Sequence, residues 1–68
     1  MDVRARVALN LRRLRRERGL SQEELADRAQ IHQTYLSGVE SGRRNPTITV
    51  LQRIAEGLHA DIADLVEK

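Results

Sequence analysis

The 68-residue sequence contains no cysteine, phenylalanine or tryptophan, and has a single tyrosine and a single proline. Without cysteine there can be no disulfide framework, no thiolate chemistry and no Cys-based zinc site, which agrees with a reducing compartment. With Tyr35 as the sole aromatic, the core must be aliphatic, and the aromatic stacking platforms that hold single strands are excluded. No apolar run approaches the ~20 residues of a membrane span, and the first residues lack the apolar core of a secretory signal, so no membrane partner is expected. Four glycines are scattered singly, so no glycine-rich phosphate loop exists. His32 and His59 do not belong to a cluster with the spacing of a zinc site, and Ser21, Ser37 and Ser41 have no recognisable base. No catalytic residue, metal, cofactor or small-molecule ligand is therefore expected, and so short a chain offers no ordinary enclosed pocket.

What is present is charge, unevenly spread. The net charge is only +2, but eleven of the twelve basic residues are arginine, whose planar fork matches phosphate and guanine. Residues 1–20 hold Arg4, Arg6, Arg12, Arg13, Arg15, Arg16 and Arg18 against Asp2 and Glu17, a net of +5, whereas residues 46–68 carry a net of −2. One end suits a polyanion and the other does not. The length sets a single domain, residues 1–68, which buries only about 60% of its unfolded surface.

The stretch that organises the chain is Ser21 to Glu40, SQEELADRAQIHQTYLSGVE. Ser21 is a good helix N-cap and Glu24 completes a capping box, so a helix begins at about Gln22. Leu25, Ala26 and Ala29 fall on one face of it, with Glu23, Glu24, Asp27 and Arg28 left for solvent. The pattern breaks at Gln30-Ile31-His32 and resumes in a second short helix with Leu36 and Val39, three apart on a shared face. The opposite face carries Gln33, Thr34, Ser37 and Gly38. It has no charge, and amides and hydroxyls are the groups that read base edges in a major groove. Taken alone, such a face also fits a short polar surface helix.

Before this unit, Val3, Val7, Leu11 and Leu14 form one apolar stripe of a helix predicted over 3–18, ended by Gly19 with Leu20 as the accompanying apolar contact. Leu9 lies off the stripe, as a singly exposed leucine can. Arg15 follows Leu14 and Glu40 follows Val39. Two opposite charges at the core edge of a small domain are costly unless they meet, so they are expected to pair. After the unit, SGRRNP (residues 41–46) is the one clear loop, and its paired arginines suit phosphates or a groove. Thr47 then caps a helix with Val50, Leu51, Ile54, Ala55 and Leu58 on its face and Ile48 beneath. Asp61 caps a last helix bearing Ile62, Leu65 and Val66, with Asp64 favourable in its first turn. The expectation is an all-α bundle of five short helices with no strand.

The run GLSQEELA, then Ile31, Tyr35-Leu36-Ser37, Val39-Glu40-Ser41-Gly42, Pro46-Thr47 and Leu51…Ile54-Ala55…Leu58 closely resembles the Cro and phage-repressor (xenobiotic response element) helix-turn-helix family. The resemblance covers about Val7 to Leu65. Within the family, QTYLSGVESGRRNPTI is similar to the controller proteins of restriction–modification systems, short proteins that bind DNA as homodimers. It implies the phage-repressor fold with helices 2 and 3 as the helix-turn-helix. Gln33, Thr34, Ser37 and Arg44 would then read bases. Gln22, His32, Tyr35, Ser41, Arg43 and Asn45 would contact the DNA backbone, Gln22 through its amide and the free N–H groups beside it. Arg15 and Glu40 match the family's buried ion pair, and Gly38 would allow close approach to DNA.

Three residues depart from the family pattern. Gln30 stands where a left-handed glycine is usual, a conformation that costs a side-chain-bearing residue roughly 1–2 kcal/mol. His32 replaces the usual Ser, Thr or Asp cap. Gln33 replaces the controllers' arginine, so their guanine preference does not carry over.

These readings converge on a sequence-specific, double-stranded-DNA-binding transcription regulator. It would be cytoplasmic, bacterial or phage-like and nucleoid-associated, and would bind a pseudo-palindromic operator as a homodimer. Ile62, Leu65 and Val66, with parts of helix 4, are the expected dimer surface, since a single subunit would make few contacts. The alternatives are the N-terminal domain of a longer ligand-sensing regulator, and an antitoxin-like protein-interaction module.

Overall fold

The computed structural model describes residues 2–67, and Met1 and Lys68, the two ends of the expected domain, lie outside them. Five helices follow one another: α1 (Val3–Glu17), α2 (Gln22–Ala29), α3 (Gln33–Glu40), α4 (Ile48–Gly57) and α5 (Ile62–Val66). No strand occurs among the described residues.

Local chemistry sets most of the boundaries. Asp2 caps α1 by accepting from the Ala5 N–H at 3.0 Å, and that bond holds the Asp2 carboxyl below its usual range. At α2 the capping box is complete: Ser21 Oγ accepts from Glu24 N–H at 3.0 Å, and the Glu24 carboxylate accepts from Ser21 N–H at 2.8 Å. The Ser21 N–H keeps the Glu24 carboxyl ionised below its ordinary range. Thr47 caps α4 through the Val50 N–H, and Asp64 reaches back to the Asp61 N–H at α5.

The C-termini of α1 to α4 all stop in one way. A residue with positive φ follows the last turn, and the next N–H bonds back to a carbonyl five residues earlier: Leu20 to Arg15, Ile31 to Ala26, Arg43 to Gly38 and Ala60 to Ala55, at 2.9–3.1 Å. Gly19 and Gly42 adopt the positive φ without strain, but Gln30 (58°) and His59 (56°) carry side chains in the same region. Gln30 therefore occupies the left-handed turn position itself, and the Ile31 side chain packs onto the core beside it.

The core is aliphatic: Val7, Leu11, Leu14, Leu25, Leu36, Val39, Leu51, Ile54, Leu58 and Leu65, with Ala26, Ala29 and Ala55 where helices approach closely. α2 packs on α3 and α4, and α1 packs on α3 and α5, so α3 is held from both sides. A side chain at Gly57 would come within 3.0 Å of Leu25, so this glycine lets α2 and α4 close together. Arginine stems and heads finish the helix ends. Arg18 Nε donates to the Leu58 carbonyl at 2.6 Å and Arg28 to the Gly57 carbonyl, while Arg6 and the buried Asn10 take the Val66 and Leu65 carbonyls.

Three sequence expectations are corrected here. α1 ends at Glu17, with Arg18 as its cap. Val3 and Ile48 continue the apolar faces of α1 and α4 but overhang the elements those faces pack against, and are 52% and 74% exposed. Leu65 is 0% exposed within the single chain, so its side chain is core and offers no surface to a second subunit, whereas Ile62 and Val66 are only partly buried.

Replacing Gln30 by glycine removes the cost of a left-handed side chain, roughly 1–2 kcal/mol, against a smaller loss through the freer unfolded chain. Gln30→Gly should therefore raise the thermal midpoint by a few degrees. A calorimetric or circular-dichroism melt that moves downward would show that the Gln30 side chain stabilises the turn.

Candidate nucleic-acid interface

The candidate interface starts with how α3 is anchored. Glu40, its last residue, is 3% exposed, yet none of its polar atoms lacks a partner. Arg15 Nε donates to Glu40 Oε2 at 2.6 Å and Arg15 Nη2 to Oε1 at 3.2 Å, a two-pronged ion pair between α1 and α3. The third Arg15 donor reaches the Leu20 carbonyl at 2.8 Å, so the same guanidinium also fixes the turn into α2. Gln22 Nε2 donates to Glu40 Oε1 at 2.9 Å, and Arg12 Nη1 donates to the Glu40 carbonyl. One buried carboxylate thus ties α1, the first turn of α2 and the end of α3 together.

From this anchor α3 turns Leu36 and Val39 inward and leaves Gln33 and Thr34 exposed, with Ser37 half-buried. His32 stands at the N-cap but its side chain makes no capping bond, so the first N–H groups of α3 stay open. Tyr35 packs its ring partly on the core.

Beyond α3 the loop folds back over it. The Gly38 carbonyl accepts from the N–H groups of Arg43 and Arg44, at 2.9 and 3.1 Å, and from Ser41 Oγ at 3.0 Å. The Arg44 stem then lies on α3 itself: a Cβ at Gly38 would sit 2.5 Å from Arg44 Cγ. Its guanidinium lies over the Tyr35 ring, 5.9 Å from the centroid, within range of a cation–π contact. Gly38 is therefore buried beneath Arg44 rather than open for an approaching backbone. Arg43 projects into solvent with no partner among the described residues.

A capped helix, a tight turn through a left-handed residue and a second helix with an uncharged polar face form a helix-turn-helix. The helix-turn-helix family HTH_3 matches residues 11–65. The chain belongs to that family. Its members are transcription regulators that bind double-stranded DNA and are not enzymes. An uncharacterised HTH-type transcriptional regulator of Sinorhizobium fredii, y4dJ, is 48% identical over 97% of this chain and 86% of its own length. The control protein C.SmaI of Serratia marcescens is 35% identical over the whole chain and 81% of its own. Among solved structures, a hypothetical transcription factor from Neisseria superposes with a TM-score of 0.92 at 37% identity, covering 96% of this chain and 75% of that one. The restriction–modification controller protein C.AhdI of Aeromonas hydrophila gives 0.89 at 34%, covering 91% and 94%.

Of the residues singled out from sequence, Gln33, Thr34 and Ser37 lie on α3, the Arg44 stem lies over it, and Arg43 and Asn45 are exposed in the following loop. Two others are engaged within the protein. The Gln22 amide donates to Glu40, so its second N–H and the backbone N–H groups at the start of α2 are what remain open there. Ser41 directs its hydroxyl to the Gly38 carbonyl. Arg12 was not legible as part of the anchor, although its three-residue spacing from Arg15 places both on neighbouring parts of one face. The Gly38 seat had no sequence signal, because it needs the loop to return over the helix.

Glu40→Ala should destabilise the domain by roughly 3–5 kcal/mol, since it strands the Arg15 guanidinium without its carboxylate. A chemical denaturation curve displaced by less than about 1 kcal/mol would show the network to be dispensable. Gly38→Ala should leave the fold intact and dislodge Arg44. The side-chain proton resonances of Arg44 nearest its guanidinium should be shifted by the Tyr35 ring in the wild type and return toward ordinary positions in the variant, and identical shifts in the two would refute the seat.

Proposed function

We propose that the protein is a cytoplasmic, nucleoid-acting regulator that binds a pseudo-palindromic operator sequence-specifically as a homodimer. The observation that carries this reading is the uncharged, outward face of α3, rigidly anchored through Glu40 and flanked by arginines in the next loop. α3 enters the major groove, where Gln33 and Thr34 meet base edges and a glutamine amide can pair bidentately with adenine. Ser37 and Arg44 add contacts alongside. Arg43, Asn45, His32, Tyr35, Ser41 and the first turn of α2 hold the flanking phosphates and fix the register.

The domain measures 28 × 20 × 20 Å over its Cα atoms, less than the ~34 Å between successive major-groove faces on one side of the duplex. One subunit therefore reads one half-site, and two subunits are needed for an operator-length contact. Exposed Ile48 at the start of α4, with the partly buried Ile62 and Val66 of α5, provides apolar surface for the second subunit. The controller proteins among the relatives favour a short regulator of this kind.

The test is selection of bound sites from random duplexes, followed by titrations at several salt concentrations. The expected product is a two-fold-related site. Gln33→Ala should relax the preference at one position in each half-site, while Arg43→Ala should weaken all sequences alike and lower the salt slope by about 1. Sedimentation that returns only monomer at high concentration removes the homodimer. Absence of any sequence preference removes the regulator reading in favour of a protein-interaction module.

A further inference from the structure

Beside α3, on the flank formed by α1, lies an open cleft lined by Arg12, Arg15, Arg16, Gln22, Ser37, Glu40 and Ser41. Every side chain on its wall is polar, and three guanidinium groups line it against one carboxylate. That carboxylate is already taken by Arg15 and Gln22, and Arg12 is bound to the Glu40 carbonyl. The cleft therefore keeps a net positive charge that no group among the described residues neutralises.

Among the basic groups in the C-terminal half of α1 and at its cap, Arg16 stands out. Arg15, Arg12 and Arg18 each satisfy a carbonyl or the buried carboxylate, and Arg13 pairs with Glu17 at 3.4 Å. Arg16 is exposed on the same side of α1 as Arg12, four residues on, and has no partner among the described residues. The α3 side of the cleft carries Ser37, half-buried at the edge of the polar face, and Ser41 at the start of the next loop. An anion held in the cleft would therefore lie along the edge of whatever α3 is inserted into.

We infer that this cleft is a phosphate-binding site for the backbone of the same DNA, with Arg16 as its principal ligand and Arg12 as a fixed neighbouring charge. The inference rests on the proposed DNA-binding function and extends it. α1, which contributes no groove-entering residue, becomes a third backbone anchor beside α2 and the 41–45 loop. The fit is to a compact oxyanion on a polymer: the cleft is open, has no apolar or aromatic wall, and its charge is pre-set by bonds that need not rearrange.

The test compares Arg16→Gln, Arg16→Lys and Arg13→Gln by measuring affinity for the selected operator duplex over a range of salt concentrations. Arg13 sits on the same helix but outside the cleft, and its loss changes the net charge equally. Arg16→Gln should reduce the magnitude of the log–log salt slope by about 0.9, the value of one phosphate contact, without changing the base preference. Arg16→Lys should restore most of the slope, and Arg13→Gln should leave it unchanged within error. Equal reductions from Arg16→Gln and Arg13→Gln would mean that only the long-range field is felt, and would overturn the site. If the wild-type protein binds DNA with a slope that Arg16→Gln leaves unchanged, the site alone falls. If the wild-type protein does not bind duplex DNA, the function and the site fall together. Since Arg16 is exposed, superposable melting curves for all four proteins exclude a folding origin.

Discussion

The geometry of this domain depends on where the charge of Glu40 is placed. A carboxylate that has left water is tolerated only if its lone pairs are filled, and here Arg15 and Gln22 fill them from two other helices. The backbone at the same residue is held by Arg12. Net stability is not the main gain from such an arrangement, because a well-packed apolar cluster could supply as much. It gains directionality instead. Aliphatic side chains slide over one another at little cost, whereas a two-pronged guanidinium–carboxylate pair is satisfied at one relative position of α1 and α3. For a helix whose exposed face must present side chains at defined spacings, that is the relevant property.

The loop after α3 uses a complementary device, an absence. Because Gly38 lacks a side chain, the stem of Arg44 lies directly on the helix, and the Tyr35 ring receives its head. The Gly38 carbonyl collects three donors from the returning chain, so the loop is bound to the helix it follows. The polar surface of α3 is thereby widened by a residue that is not part of α3. The position four residues before a helix-ending glycine is usually read for its helix propensity. Here its worth lies in the space it leaves.

The elements were largely legible from sequence because local chemistry determines them. Ser21 with Glu24, Thr47, and Gly19 followed by Leu20 each satisfy backbone groups within a few residues. The apolar period also told which face of each helix turns inward. What it could not tell is how far the partner extends. Val3 and Ile48 lie in register with buried neighbours and still project past them. In a helix as short as α5, Ile62, Leu65 and Val66 look equivalent in sequence, and only packing on α1 and α4 makes Leu65 core. The engagement of Gln22 by Glu40, eighteen residues away, and the contact of Arg44 with Gly38 depend on tertiary approach, which no spacing rule encodes.

The two ends of α1 make different attachments. In its first half and at its middle, Arg6 and Asn10 hold carbonyls at the end of α5, and in its second half Arg12 and Arg15 hold α3. A single unbroken helix of fifteen residues, about 22 Å long at 1.5 Å per residue, thus joins α5 to the helix-turn-helix. It acts as a strut. Whatever α5 is fastened to is held at a set bearing and distance from the exposed face of α3. A tilt imposed at α5 is passed on to α3 rather than absorbed by a hinge, so α1 sets the pitch at which that face is offered.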